Sequence, residues 1–174
     1  MTGKRMGRRA LLAGVLLLLS GCGYTLEGTR RPASLGAARS IHIPIFVNET
    51  REPDLGRSLA SAVRERFLLD GRLRLVDPAE ADLVLEAVIR EYRQDPIGFS
   101  GADQVRRYRV LVRTHVRLRD TQRGRFILNQ EIDSEAEYGV AAAIGGSEQA
   151  RQQSTSSTAT RFAEDILSLV LEGF

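Results

Sequence analysis

The stretch "RYRVLVRTHVRLRDTQRGRFILNQEIDSEAEY", Arg107 to Tyr138, decides the fold. Its residues alternate with period two, which is the signature of half-buried strands. Tyr108, Val110, Val112, Thr114, Val116 and Leu118 form one face of the first arm; Arg107, Arg109, Leu111, Arg113, His115, Arg117 and Arg119 form the other. In the second arm, Phe126, Leu128, Ile132, Ala136 and Tyr138 oppose Ile127, Asn129, Glu131, Asp133, Glu135 and Glu137. The link "DTQRG", Asp120 to Gly124, predicts a hairpin turn.

The arginine row has two readings. Alone, it is an anion-binding ridge. Folded back with Arg119 opposite Arg125, it meets an acidic row, with Arg113 against Glu131, Arg109 against Glu135 and Arg107 against Glu137. A two-residue change of register keeps the faces and the alternation of charge, so self-pairing is the favoured reading.

Upstream, "LRLVDPAEADLVLEAVIREYRQD" predicts another strand. Leu83, Leu85, Ala87 and Ile89 lie on one face, and Val84, Glu86, Val88, Arg90 and Tyr92 on the other. Asp95-Pro96 opens a predicted loop over 95–105 that holds Ile97 and Phe99. "SIHIPIFVNET" predicts one more strand, with Ile41, Ile43, Ile45 and Val47 facing one way and His42, Pro44 and Phe46 the other. Pro44 cannot donate to a ladder and belongs at an edge or a free-side position. His42 has no ligand partner nearby and reads as a surface histidine.

Leu55, Leu59, Val63 and Phe67 recur every four residues after Asp54 and before Gly71, which predicts a helix over 54–70. A second helix is predicted over 147–171, with Ala159, Phe162, Ala163, Ile166, Leu167 and Val170 as its packing stripe. The order strand, helix, strand, strand, strand, helix predicts an α/β (α+β) two-layer sandwich. Four strands form a mixed sheet, and two helices cover one face. The other face mixes Val84, Val88, Tyr92, Leu111 and Ile127 with charges.

The N-terminus has a separate logic. Lys4, Arg5, Arg8 and Arg9 precede the apolar run "ALLAGVLLLL", Ala10 to Leu19, which is the layout of an export signal. Ten residues at about 1.5 Å each reach only about half of a ~30 Å hydrocarbon core, too little for an ordinary membrane span. Removing 1–21 takes four of 25 basic residues and leaves 21 against 22 acidic, so a general polyanion or nucleic-acid role loses its support. Cys22 is the only cysteine, which excludes an internal disulfide. Residues 22–40 read as the cysteine and a tether, and 41–174 as the domain. No nucleophile elbow, zinc-protease helix or phosphate loop is present, and nothing converges as a catalytic or metal site.

Leu19-Ser20-Gly21-Cys22 resembles the bacterial lipobox. That resemblance implies S-diacylglycerol on Cys22, cleavage before it, and a further acyl chain such as palmitate on its new amino group. No other cofactor is implied. Gly23, where an Asp would mark inner-membrane retention, favours the outer membrane. "CGYTLEG", "IHIPIFVNETREPDL" and "ADLVLEAVIREYRQDP" together resemble the LptE family of lipopolysaccharide-assembly lipoproteins. This resemblance implies a non-enzymatic plug in the lumen of the barrel LptD, aiding barrel assembly and lipopolysaccharide insertion. The positions that fit lipopolysaccharide binding are Arg93, Arg106 and Arg107, flanking the 95–105 loop, which itself lacks a basic residue. "IPIFVNET" also resembles lipoproteins that activate peptidoglycan synthases or build secretion pores, which keeps an alternative partner class open. An envelope enzyme has no positive evidence.

Overall fold

The structure, a computed structural model, describes residues 35–99, 105–139 and 146–172, without the side chains of Arg106 and of 146–155. The export signal, the lipobox with Cys22 and most of the tether lie outside the described residues.

Among the described residues, six strands and two α-helices follow in order, with a 3-10 turn at Pro78–Glu80: β1 (Ser40–His42), β2 (Val47–Asn48), α1 (Leu55–Asp70), β3 (Arg74–Leu75), β4 (Leu83–Phe99), β5 (Val105–Asp120), β6 (Arg125–Gly139) and α2 (Gly146–Glu172). The sheet runs β3-β1-β4-β5-β6, with β2 also on β4. β1 is parallel to β3 and β4, β2 is parallel to β4, and β4, β5 and β6 form an antiparallel meander. The fold is α+β with a mixed sheet, and the expected four strands become six.

Two causes account for the extra strands. Pro44 interrupts the expected first strand, so the chain pairs with β4 before it and again after it. The side-chain phase slips there. Ile41 and Ile43 are buried, but Phe46 then turns inward, while Ile45 and Val47 are exposed. Phe46 meets Phe162 of α2 edge to face, with ring centroids 6.1 Å apart. β3 is a two-residue edge strand, too short to leave a periodic signal.

Asn48-Glu49-Thr50 builds the turn into α1. The Asn48 Oδ1 accepts from the Thr50 backbone N–H (3.0 Å) and hydroxyl (2.8 Å), and its amide donates to the Glu52 carbonyl (2.8 Å). Asp54, which the sequence offers as a cap for α1, sits at the N-cap in a left-handed conformation with no side-chain cap bond. Gly56 has a steric reason. A Cβ there would lie 2.2 Å from the Phe46 carbonyl oxygen. At the other end, Gly71 closes α1 with φ 74° and donates its N–H to the Phe67 carbonyl.

The core joins the stripes of both helices to one face of the sheet. Leu59, Val63 and Phe67 of α1, Phe162 and Ile166 of α2, Leu83, Leu85 and Ile89 of β4, and Val110, Val112 and Val116 of β5 are all fully buried. Leu35 and Ala38, late in the stretch read as tether, also pack against this core.

Candidate functional site

β5 runs through the centre of the meander, so its arginine row has a neighbour strand on each side. The hairpin register differs by two residues from the one expected. Arg113 faces Asp133, Arg109 faces Glu137, Leu111 faces Glu135, His115 faces Glu131 and Arg107 faces Gly139. The turn supplies one residue of this difference and a bulge the other. The Asp120 carboxylate accepts from the Arg123 N–H (2.9 Å), and Gly124 takes φ 63°, so the ladder starts at Asp120 and Arg125. An irregularity between Leu118 and Arg119 inserts one residue on β6. It moves Phe126 off the core face to lie opposite Arg119, 46% exposed, with the Arg117 guanidinium 5.2 Å from its ring centre.

β4 supplies acids that the sequence reading did not foresee. A bulge at Arg90 flips its phase, so Tyr92 and Gln94 turn to the helix-covered face, opposite Val112 and Val110. Glu91, Arg93 and Asp95 turn outward instead, opposite Arg113, Leu111 and Arg109. The expected outward Tyr92 is thereby corrected. The strand also continues through the predicted 95–105 loop as far as Phe99, so Ile97 and Phe99 belong to a strand. Residues 100–104 lie outside the described set.

The resulting open face is a ladder of ion pairs three strands wide. Arg113 holds Asp133 through two hydrogen bonds (2.8 and 2.9 Å) and Glu91 at 3.1 Å. Arg109 holds Glu137 at 2.9 Å and reaches Glu135 at 3.8 Å. Arg117 pairs with Glu86 at 2.9 Å. The hydrogen bond to Asp133, with the charge of its carboxylate, raises the Arg113 guanidinium above its ordinary range. The same bond holds the Asp133 carboxyl below the usual carboxylate range. Arg109 is raised in the same way by Glu137. The arginine row is therefore largely self-neutralised.

Two of the expected ligand residues lie at the far end of this ladder. Arg93 bonds Asp95 at 2.8 Å and approaches Glu91 at 3.5 Å. Among the described residues, Arg107 makes one long ionic contact, 3.8 Å to Glu137, and packs beside Gly98. Arg106 is next to it on β5, and its side chain lies outside the described residues. Leu111 and Val84 are buried on this face, between the stems of the charged residues.

No group of three or more metal-ligating side chains occurs among the described residues. His42 pairs its Nδ1 with the Val76 carbonyl at 3.0 Å. No helix among the described residues is long and apolar enough to cross a membrane. At the sheet's entry, the Asp82 carboxylate accepts from the backbone N–H groups of Arg39 (2.7 Å) and Ser40 (3.1 Å), which holds it below its ordinary range.

Solved structures share this architecture. A protein from Xanthomonas campestris is similar at 11% identity, covering 81% of this chain and 88% of that one, with a TM-score of 0.56. Lipoprotein B from Nitrosomonas europaea is similar at 16% identity over 77% and 83%, with a TM-score of 0.50. The PelC dodecamer from Paraburkholderia phytofirmans is similar at 20% identity over 82% and 96%, with a TM-score of 0.51. These likenesses are of fold. No curated protein matches the chain. A family profile for lipopolysaccharide assembly, LptE, matches residues 38–170, from the start of the sheet to the last turns of α2. With that match covering more than three quarters of the sequence, the chain belongs to the LptE family of lipopolysaccharide-assembly proteins.

Proposed function

We propose that the protein is an outer-membrane lipoprotein whose domain plugs the lumen of the LptD barrel, supports its assembly and assists insertion of lipopolysaccharide into the outer leaflet. Its work is binding and assembly, without a catalytic step. The observation that carries this reading is the union, in one chain, of an LptE-family domain over 38–170 with the lipobox Leu19-Ser20-Gly21-Cys22. Cys22 carries the diacylglycerol and N-acyl chains, because several acyl chains hold a bilayer stably where one does not.

The charge ladder suits a plug. An unpaired charge facing a barrel wall would cost several kcal/mol if water were excluded, roughly 3–5 kcal/mol for a broken buried pair. A face whose charges already have partners avoids most of that cost. Lipopolysaccharide phosphates are proposed to engage Arg93, Arg106 and Arg107, at the end where Arg107 has only a long contact with Glu137.

The deciding experiment is purification of the acylated protein from outer membranes. LptD is expected to accompany it, and Cys22→Ala is expected to stay unprocessed and unlabelled by palmitate. Recovery of a peptidoglycan synthase or a secretion pore in place of LptD overturns the plug reading. Charge reversal at Arg106 and Arg107 should weaken lipopolysaccharide binding, and unchanged binding by the folded double variant rejects those positions.

A further inference from the structure

β6 is the last strand of the sheet, and among the described residues no strand pairs with the side of it that turns away from β5. Adjacent residues of a strand send their N–H and C=O groups to opposite edges, so roughly half of the backbone polar groups of β6 point out along this side. From Leu128 to Tyr138 the strand has no proline, glycine or bulge. That is a regular ladder of about 36 Å. The other long edge is built differently. Glu91 to Phe99 of β4 also have β5 on one side alone, but Pro96 removes a donor there, and the register shifts at Pro96 and again at Gly98. Prolines and irregularities of this kind prevent strand addition. β6 carries none beyond Ile127.

Charge says what kind of strand this edge fits. Across the open face the columns alternate in sign, Arg93 aside: Glu91 and Asp95 on β4, Arg109 and Arg113 on β5, then Glu131, Asp133, Glu135 and Glu137 on β6. The only base of β6 is Arg125, at its start. Its acids are partly engaged from the β5 side. Glu131 makes no ion pair among the described residues, Glu135 has one long contact, 3.8 Å to Arg109, and every acid of the column is exposed. A further strand that continues the alternation presents bases to the open face. Its inward residues are small or apolar, beside the half-buried Ile132 and Ala136. A second copy of β6 does not fit. In an antiparallel register that keeps both helix layers on one side, its acids fall opposite these acids, and like charges directly opposite destabilise a pair.

We propose that β6 is a docking edge for an extended segment of a partner protein whose alternate residues are arginine or lysine. Backbone hydrogen bonds supply the affinity, and the acidic column selects the basic segment and fixes its register. The source of the segment, the LptD barrel that encloses the domain, rests on the plug function; the edge and its charge preference do not.

The full acylated protein in detergent is titrated with a dye-labelled synthetic peptide that alternates arginine with threonine. Saturable binding is expected, with the amides of Leu128 to Tyr138 gaining protection from hydrogen exchange and those of Glu91 to Phe99 unchanged. The same peptide N-methylated at every threonine keeps its charge but loses ladder donors, and it should bind at least about tenfold more weakly. Absence of binding, equal binding by the N-methylated peptide, or protection on β4 in place of β6 overturns the docking edge. The double variant Glu131→Arg, Glu135→Arg, at two exposed positions, should weaken the arginine peptide and admit one that alternates glutamate with threonine. An unchanged preference overturns the charge selection. In the complex purified from outer membranes, a photo-crosslinking residue in place of Glu131 reports the source, and capture of a basic segment of LptD is expected. LptD recovered without capture overturns it as the source and leaves the plug function standing. Peptide binding without recovery of LptD overturns the plug function and leaves the edge standing. Capture of a second copy, or of this chain's own residues, overturns the proposal.

Discussion

On the face beneath the helices, β5 places Val110, Val112, Thr114 and Val116, none with any exposed surface. On its other face the same strand places Arg109, Arg113, His115 and Arg117, and only Leu111 among them is buried. One face is held by removal of apolar area from water, the other by charge pairs that stay wet. The first term is large and not screened by salt; the second is small for each pair and screened. Stability therefore resides on one face, which leaves the other free to be shaped by what it meets.

The largest expected effect attacks the covered face. Phe162→Ala removes a fully buried ring that meets Phe46, and should cost about 3–5 kcal/mol, read from the denaturation midpoint. Gly56→Ala tests how closely the helix layer sits on the chain after Pro44. Alanine favours a helix over glycine by about 1 kcal/mol. The 2.2 Å approach to the Phe46 carbonyl opposes that gain, and the net result should be a loss of about 1–3 kcal/mol. An unchanged midpoint would show that the β2–α1 turn yields.

Thr114→Val should act in the opposite direction. The Thr114 hydroxyl is buried and finds no hydrogen-bond partner among the described residues. Its removal should stabilise the domain by about 1 kcal/mol, and a loss would reveal a bound water there. On the open face, Glu86→Gln breaks the pair with Arg117 and should cost only about 0.2–1 kcal/mol, falling further in high salt. A cost as large as that of Phe162→Ala would erase the distinction between the faces.

Acid gives a further test. Asp133, Asp70 and Asp82 all have folded pKa values below their ordinary ones, through Arg113, Arg72 and the Arg39 N–H respectively. Their contribution is complete above the unfolded value near pH ~3.9 and is lost as pH falls through the folded values. The melting temperature should therefore fall more steeply with acid in the parent than in Asp82→Asn. Parallel curves would mean that the Asp82 bonds persist after protonation.

Both helices were legible because their stripes repeat at helical spacing and end at Gly71 or at the chain's close. The strands were legible as alternation, and alternation survives in β5. It fails wherever one residue is inserted or a pairing gap opens, at Pro44, Arg90 and Ile127. Each event puts the residues on its two sides out of phase, which is why Ile45 and Tyr92 beyond the first two, and Phe126 before the third, face opposite to expectation. The charge ladder was half legible. The acids of β6 follow from the hairpin and Glu86 from the alternation of β4, but Glu91 and Asp95 depend on the bulge.

The sequence alone determined most of the element types and the apolar stripes, because each is a local pattern. Only the tertiary structure decided that the arginine row is neutralised from both sides, and that Phe46 rather than Ile45 or Val47 enters the core. Those facts depend on which strands become neighbours and in what register, and register is set by turns and bulges acting across the whole sheet.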